Sequence, residues 1–337
     1  MTVGFLGGKF LPFHQGHLYM ILRASTMVDK LYVVLTSSPN RDKELCDRDG
    51  IKYMPAEVRM SWIGASVADL ENIEVINIVD DQWNYNYDWE EGSNKIRNAI
   101  PEKLTHVFSS EPEYDKYFKA YYPGTEHVVI DEGRNAVSIS ATELRKDLYK
   151  HWDMLPVTVR PFFVKKVVLI GTESCGKSTL TKKLAKFYNT NFVHEVGKDD
   201  YCYKYKNLLT PQMFVSTAMD HFRLIEKRME VANKVVFIDT EAVVTQFYLE
   251  IYTGQKSALI DEVIKLQNFD LIIYMEPDVK WVDDGTRFLG TDEQRKDGNA
   301  KLKKMFADYG LEYISVTGSY EERFAKARAL VDEMIEV

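Results

Sequence analysis

Cysteine is scarce in this sequence: three among 337 residues, Cys46, Cys175 and Cys202, an odd number with no C-x-x-C spacing. That excludes a disulfide framework and a cysteine-based zinc site, and it points to a reducing compartment. No apolar run approaches the length of a membrane span, and the first residues pass straight into a strand-like Val3-Gly4-Phe5-Leu6 without the basic and apolar regions of a secretory signal. The cytoplasm is the expected location, and no membrane partner is expected. Basic residues are outnumbered, 43 Lys and Arg against 51 Asp and Glu, for a net charge of −8. A broad nucleic-acid footprint would be basic, so nucleic acid is not an expected partner. An acidic balance leaves room for local phosphate pockets, which need only a few cations and backbone N–H groups. No internal repeat or low-complexity tract appears.

What is present is a soluble globular composition, 45% hydrophobic and 28% charged, over a length that accommodates two ordinary domains. The centre of the chain carries Val167-Val168-Leu169-Ile170-Gly171-Thr172-Glu173-Ser174-Cys175-Gly176-Lys177-Ser178-Thr179. A β-branched apolar run leads into a loop bounded by Gly171 and Gly176, and Lys-Ser-Thr opens a helical pattern. This is the G-x-x-x-x-G-K-[ST] phosphate loop with strand before and helix after. Its backbone N–H groups, including those of Glu173, Ser174, Cys175 and Thr179, converge on phosphate, and the helix N-terminus adds positive dipole. Lys177 reaches the β/γ-phosphates and Ser178 reaches Mg²⁺, so ATP and Mg²⁺ are the expected cofactors. Cys175 reads as a small residue that fits the loop, ahead of the alternative of an oxidation-sensitive thiol.

Before this loop the sequence alternates, with strands expected at 3–6, 31–35, 73–79, 105–108 and 127–130 and helices at 16–27, 57–70, 93–100, 113–121 and 141–149. After it, strands at 191–194, 235–238, 271–275 and 312–316 alternate with helical patterns at 177–187, 211–232, 242–266, 292–309 and 321–335. The expected fold is α/β, with two doubly wound parallel-sheet domains. Residues 1–150 form the first domain and 165–337 the second. A segment at 151–164, interrupted by Pro156 and Pro161, reads as a linker whose aromatics pack.

Two further motifs lie in the first half. Gly7-Gly8-Lys9-Phe10-Leu11-Pro12-Phe13-His14-Gln15-Gly16-His17 follows the first strand and opens the first helix. His14 and His17 are three apart, so on one helical face they can grip the same phosphate. Further on, Ser138-Ile139-Ser140-Ala141-Thr142-Glu143-Leu144-Arg145 places hydroxyls at a helix start and an arginine one turn in. Ser140 with Glu143 also fits a capping box, which accounts for Ser140 but not for Arg145.

These motifs resemble the (H/T)-x-G-H and I-S-x-T-x-x-R signatures of the nucleotidylyltransferase family. The succession G-K-F-x-P-x-H-x-G-H, I-S-A-T-x-x-R, a linker of form K-x-W-x-x-[IL]-P-x-x-V-R-P-[FY]-F and a loop G-x-E-S-x-G-K-S-T is similar to the bifunctional nicotinamide mononucleotide (NMN) adenylyltransferase/ribosylnicotinamide kinases of NadR type, over nearly the whole chain. The resemblance implies an N-terminal Rossmann-like nucleotidylyltransferase and a C-terminal P-loop kinase, which together convert nicotinamide riboside to NMN and NMN to NAD with ATP. Longer members carry an N-terminal helix-turn-helix. This chain starts at the first catalytic strand, so no repressor role is expected.

For the first site the resemblance implies that Lys9, His14, His17 and Arg145 neutralise phosphate charge. Gly7, Gly8, Phe10, Ser140 and Thr142 contact ATP, as do Ser110, Glu111 and Arg134 at strand ends. Trp89 stacks on nicotinamide. Phosphorylating a ribose hydroxyl needs a carboxylate base, and Glu195 is the first choice, with Asp199 second. Asp239, ending an apolar strand, serves Mg²⁺. The family shows E-x-[GA]-R-E at the first acidic cluster, and Lys198 stands where arginine is usual. Trp281, Asp283 and Asp284 resemble a nucleoside-binding segment, and Arg287 a lid arginine, with Arg295 divided between lid and ordinary ion pair. Two readings compete: an adenylyltransferase fused to a kinase for another nucleoside, and a nucleotide-sensing regulator without turnover. Lys177, His17 and Arg145 count against the latter. Oligomeric state is left open, a homo-oligomer included.

Overall fold

The computed structural model describes residues 1–80, 88–202, 209–278 and 292–335. The chain divides into two compact units, Met1–Val159 and Arg160–Val337. The division falls inside the expected 151–164 segment. That segment is well packed: two short 3₁₀ turns (Trp152–Met154 and Arg160–Phe162) bury Trp152, Leu155, Val159 and Phe163.

The first unit is a five-stranded parallel sheet of order β3-β2-β1-β4-β5, where β1 is Val3–Gly8, β2 Lys30–Ser37, β3 Ile73–Val79, β4 His106–Ser109 and β5 Glu126–Val129. Helices α1 (Gln15–Ser25), α2 (Pro39–Arg48), α3 (Ala56–Ser66), α4 (Trp89–Ala99), α5 (Asp115–Tyr121) and α6 (Ala141–Lys146) connect the strands. The chain runs outward from β1 through β2 to β3, then returns to β4 on the other side. The β1/β4 crevice is therefore the topological switch point, where such sheets bind ligands at the carboxyl edge. The strand expected at 3–6 is realised as Val3–Gly8, with Val3 to Leu6 all buried.

Helices α3 and α6 end at Ser66 and Lys146, short of the expected 70 and 149, and two further helices depart from the expectation. Helix α2 was not expected at all, because the face it buries carries Asp42 and Cys46, a charge and a thiol that apolar periodicity does not register. Helix α4 starts four residues earlier than expected. Asp88 caps it, its carboxylate accepting the Glu90 and Glu91 N–H groups at 3.0 Å each.

The second unit repeats the architecture with order β10-β9-β6-β8-β7, all parallel. Here β6 is Lys165–Ile170, β7 Phe192–Val193, β8 Val235–Asp239, β9 Leu271–Met275 and β10 Ile314–Val316. The helices are α7 (Lys177–Phe187), α8 (Pro211–Met229), α9 (Ala242–Thr253), α10 (Ala258–Leu266), α11 (Asp292–Asp308) and α12 (Tyr320–Met334). Helices α9 and α10 divide the 242–266 pattern at Gly254, whose φ of +71° stops the first of them. The central β6 is apolar on both faces, with Val167 to Ile170 all buried, as a strand covered by helices on two sides must be. Among the described residues no helix is long and apolar enough to cross a membrane.

Candidate functional site

In the first unit the β1–α1 connection builds the site. His14 is the N-cap of α1, and its Nδ1 accepts the Gly16 N–H at 3.1 Å. That bond requires Nδ1 to be unprotonated, so in the neutral ring Nε2 carries the hydrogen and is a donor. The His14 and His17 rings stack with centroids 3.6 Å apart and planes 26° apart. Burial holds the His14 pKa down at about 3, with the Arg134 charge assisting, and His17 is lowered by burial, by His14 and by Arg134. Two neutral imidazoles therefore sit side by side. The expectation placed both on a helical face, but His14 sits at the N-cap with extended backbone (φ −143°), and the rings meet by stacking across the helix start.

The Phe10 ring is buried and packs edge-on to His17, centroids 4.9 Å apart, so Phe10 supplies the floor of the site through its side chain and can meet a ligand only through its backbone. Gly7 and Gly8 end β1 beneath this loop. Lys9 is fixed from behind by residues that the sequence motifs did not single out. Its Nζ lies 2.8 Å from Asp42 Oδ1 on α2, the other Asp42 oxygen takes Arg59 Nη2 at 2.7 Å, and Arg59 Nη1 donates to the Lys9 carbonyl at 2.6 Å. No sequence signal marks Asp42, because α2 is polar and buries only Asp42 and Cys46.

Arg145, on α6, is buried. Its Nε donates to Asp49 Oδ2 at 2.7 Å, Nη1 to the Leu11 carbonyl at 2.7 Å and Nη2 to Thr142 Oγ1 at 3.2 Å. It thus ties the two signature segments together, since Leu11 belongs to the loop holding His14. Ser140 is committed to the capping box: its Oγ accepts the Glu143 N–H at 3.1 Å, and its own N–H donates to Glu143 Oε2 at 2.8 Å. At the end of β4, Ser110 Oγ donates to Glu111 Oε1 at 3.2 Å and Arg134 Nη2 reaches the same oxygen at 3.4 Å. Trp89 meets the Tyr114 ring edge-on at 5.2 Å, three residues past Glu111. It stacks on Tyr117 at 4.3 Å with planes 1° apart and packs on the core beneath β1 and β4.

In the second unit a cavity of about 420 Å³ opens at the carboxyl edge of β6. Glu173 to Thr179 line it together with Glu195, Lys198, Phe214, His221, Asp239, Thr240, Tyr248 and Tyr252. Glycine is required at both ends of the loop. Gly171 has φ +140° and a Cβ there would meet the Met275 carbonyl oxygen at 2.5 Å, while Gly176 has φ +88° and lies against the Tyr320 ring. Lys177 Nζ donates to the Gly171 and Thr172 carbonyls at 3.0 Å each. Burial alone would lower its pKa, but the Cys175 sulfur and the Glu195, Asp239 and Glu173 carboxylates together raise it, so the ammonium is retained.

Strand register brings the acids to this edge. Leu169 of β6 pairs with Asp239 of β8, and Val193 of β7 with Ile238, so Glu195, two residues past β7, arrives beside Asp239. Burial raises both carboxyls. Glu195 is pushed up to about 7, with Lys177 opposing and Asp239 assisting. Asp239 is raised mainly by burial, against the pull of Lys177 and a hydrogen bond from Ser178. Asp199 is exposed, on a π-helical turn (Gly197–Cys202), and is not among the cavity-lining residues. Asp239 Oδ1 is buried without a hydrogen-bond partner, beside the Ser178 hydroxyl. A hard oxygen pair of this kind, at the foot of a phosphate loop, fits a Mg²⁺ held jointly with phosphate oxygens. No group of three or more His, Cys, Asp or Glu side chains forms a metal cage among the described residues. Arg295 is buried on α11 and donates to the Pro277 carbonyl at 3.3 Å. Trp281, Asp283, Asp284 and Arg287 lie outside the described residues.

Residues 5–147 match the cytidylyltransferase-like family and residues 166–323 the AAA domain family. The trifunctional NAD biosynthesis/regulator protein NadR of Escherichia coli is 32% identical over 350 aligned residues, covering 99% of this chain and 83% of that protein. The NadR of Salmonella typhimurium matches at the same identity and coverage. Among solved structures, a NadR protein in complex with NR superposes with a TM-score of 0.81 at 24% identity, over 100% of this chain and 96% of that one, and so shares the fold.

Proposed function

The chain belongs to the NadR family, and on that premise we propose that it makes NAD in two ATP-dependent steps. The second unit phosphorylates nicotinamide riboside to NMN, and the first transfers an adenylyl group from ATP to NMN, releasing pyrophosphate. It is a soluble-type α/β enzyme with kinase and nucleotidyltransferase halves, and its partners are small molecules: nicotinamide riboside, NMN and ATP, with NAD as product.

The observation that carries this reading is the convergence of Lys177, Glu195 and Asp239 on one cavity, in a chain whose other unit holds a neutral histidine pair at its switch point. In the kinase half the loop amides and Lys177 hold the ATP phosphates. Glu195 takes the proton from the attacking ribose hydroxyl, a task that suits a carboxyl poised at about 7. Asp239 and Ser178 would hold Mg²⁺, which supplies neutralising charge to the phosphates when bound. Asp199, the second candidate base, is set aside on its exposure.

In the adenylyltransferase half the attacking group is already an anionic phosphate, so no base is needed. Positioning and charge neutralisation carry the rate. His14 donates through Nε2–H, and Lys9, Arg134 and Arg145 supply positive charge around it. The test is direct: incubate the purified chain with nicotinamide riboside, ATP and Mg²⁺, and identify products by mass. NMN followed by NAD is the expected result, and NMN without NAD, or neither, would refute the two-step reading.

A further inference from the structure

Helix α12, at the far end of the chain, meets the phosphate loop from behind. Arg323, in its first turn, is buried, and its donors go to four places. Nη1 donates to the Cys175 carbonyl at 2.8 Å, Nε to the Gly318 carbonyl at 2.8 Å and Nη2 to the Glu276 carbonyl at 2.8 Å. Nη2 also pairs with the Asp278 carboxylate, whose other oxygen accepts the Gly318 N–H at 2.8 Å. The Glu276 end is itself anchored, its carboxylate taking Lys303 Nζ at 2.6 Å and Ser315 Oγ at 2.8 Å. A single planar guanidinium thus fastens the phosphate loop, the end of β9 and the turn before α12 to one another.

The consequence follows from peptide geometry. In a planar trans peptide the C=O and the following N–H point in opposite directions. A guanidinium that holds the Cys175 carbonyl on the α12 side must therefore turn the Gly176 N–H toward the other side, which is the concave face of the loop. The Tyr320 ring lies against Gly176 on the side where a Cβ would stand, 3.0 Å from that position. We infer that Arg323 is a positioning residue for phosphoryl transfer, setting the direction of the Cys175–Gly176 peptide and so the aim of an amide donor at the ATP phosphates, from 148 residues away along the chain. Lysine cannot replace it, because one ammonium point cannot span three carbonyls held in different directions.

The inference rests on the kinase reading of the second unit and deepens it. The full chain is prepared as wild type, Arg323→Lys and Arg323→Gln. Inorganic tripolyphosphate and nicotinamide riboside binding are measured by calorimetry, and KM for ATP and for the riboside by NMN formation. Both variants are expected to bind tripolyphosphate at least about tenfold more weakly and to raise KM for ATP in proportion, as loss of a preorganised anion donor implies. Riboside affinity and KM should stay within about twofold, because the riboside carries no phosphate for this amide to hold. A merely structural residue would instead lower the active fraction, reducing kcat with KM for ATP unchanged, and that result overturns the inference. So does an Arg323→Lys enzyme equal to wild type, or failure of both variants to fold, which would make Arg323 a stability brace. Wild-type protein that neither binds tripolyphosphate nor forms NMN would instead refute the kinase reading itself.

Discussion

Arg59 and Asp42 form an ion pair, 2.7 Å from Nη2 to Oδ2, with neither side chain exposed to solvent. The pair is built into the proposed adenylyltransferase site, because the second Asp42 oxygen holds Lys9 and the second Arg59 nitrogen holds the Lys9 carbonyl. Asp42→Asn leaves a buried guanidinium without its counterion, a loss of about 3–5 kcal/mol. Calorimetry should show the first unit unfolding at lower temperature. Below that temperature NAD formation from NMN should fall by about tenfold to a hundredfold as Lys9 loses its anchor, with riboside phosphorylation unchanged. Full adenylyl transfer in this variant would remove Asp42 from the site.

The two halves should separate by mutation. Lys177→Ala is expected to lower riboside phosphorylation at least about a hundredfold while NAD formation from supplied NMN continues. His17→Ala is expected to do the reverse, so that NMN accumulates from riboside and ATP. Loss of both activities in either folded variant would contradict the assignment of one reaction to each unit.

The pH dependences of the halves should differ. Glu195, raised to about 7 chiefly by burial, carries a proton below that pH and cannot accept another. Riboside phosphorylation should therefore rise with pH through about 7 and level off above it. Glu195→Gln should abolish that limb and slow the reaction by about 10²–10⁴-fold. His14, lowered to about 3, is neutral throughout this range, so adenylyl transfer should show no imidazole limb between about pH 5 and 8. A rate-controlling imidazole titrating near its ordinary value would contradict the stacked, desolvated arrangement.

Asp239→Asn keeps the shape of the side chain and removes its charge. The Mg²⁺ concentration giving half-maximal riboside phosphorylation should rise at least about tenfold, with the Mg²⁺ dependence of adenylyl transfer unaltered. An unchanged Mg²⁺ requirement in the kinase reaction would detach Asp239 from the metal.

Much of the site was legible because the signals are local. Strand, glycine-bounded loop and helix start occupy consecutive residues in both motifs, and the positive φ values at Gly171 and Gly176 are properties of the loop itself. Helix α2 was not legible, since it packs a carboxylate inward and presents almost no apolar period. The choice between Glu195 and Asp199 was likewise beyond the sequence. The two acids are four residues apart, and only the π-helical turn decides that one faces the cavity while the other faces water.

The sequence by itself determined two phosphate-binding edges on two parallel sheets, because backbone conformation, helix polarity and hydrophobic period act over a few residues. Tertiary structure alone decided how those edges are held. Asp42 reaches Lys9 across 33 positions, Arg59 reaches it across 50, and Arg323 reaches the phosphate loop across 148. Hydrogen bonds and ion pairs require atoms within about 3 Å of each other. Whether residues so far apart along the chain come that close depends on strand order and register, and no local pattern encodes it.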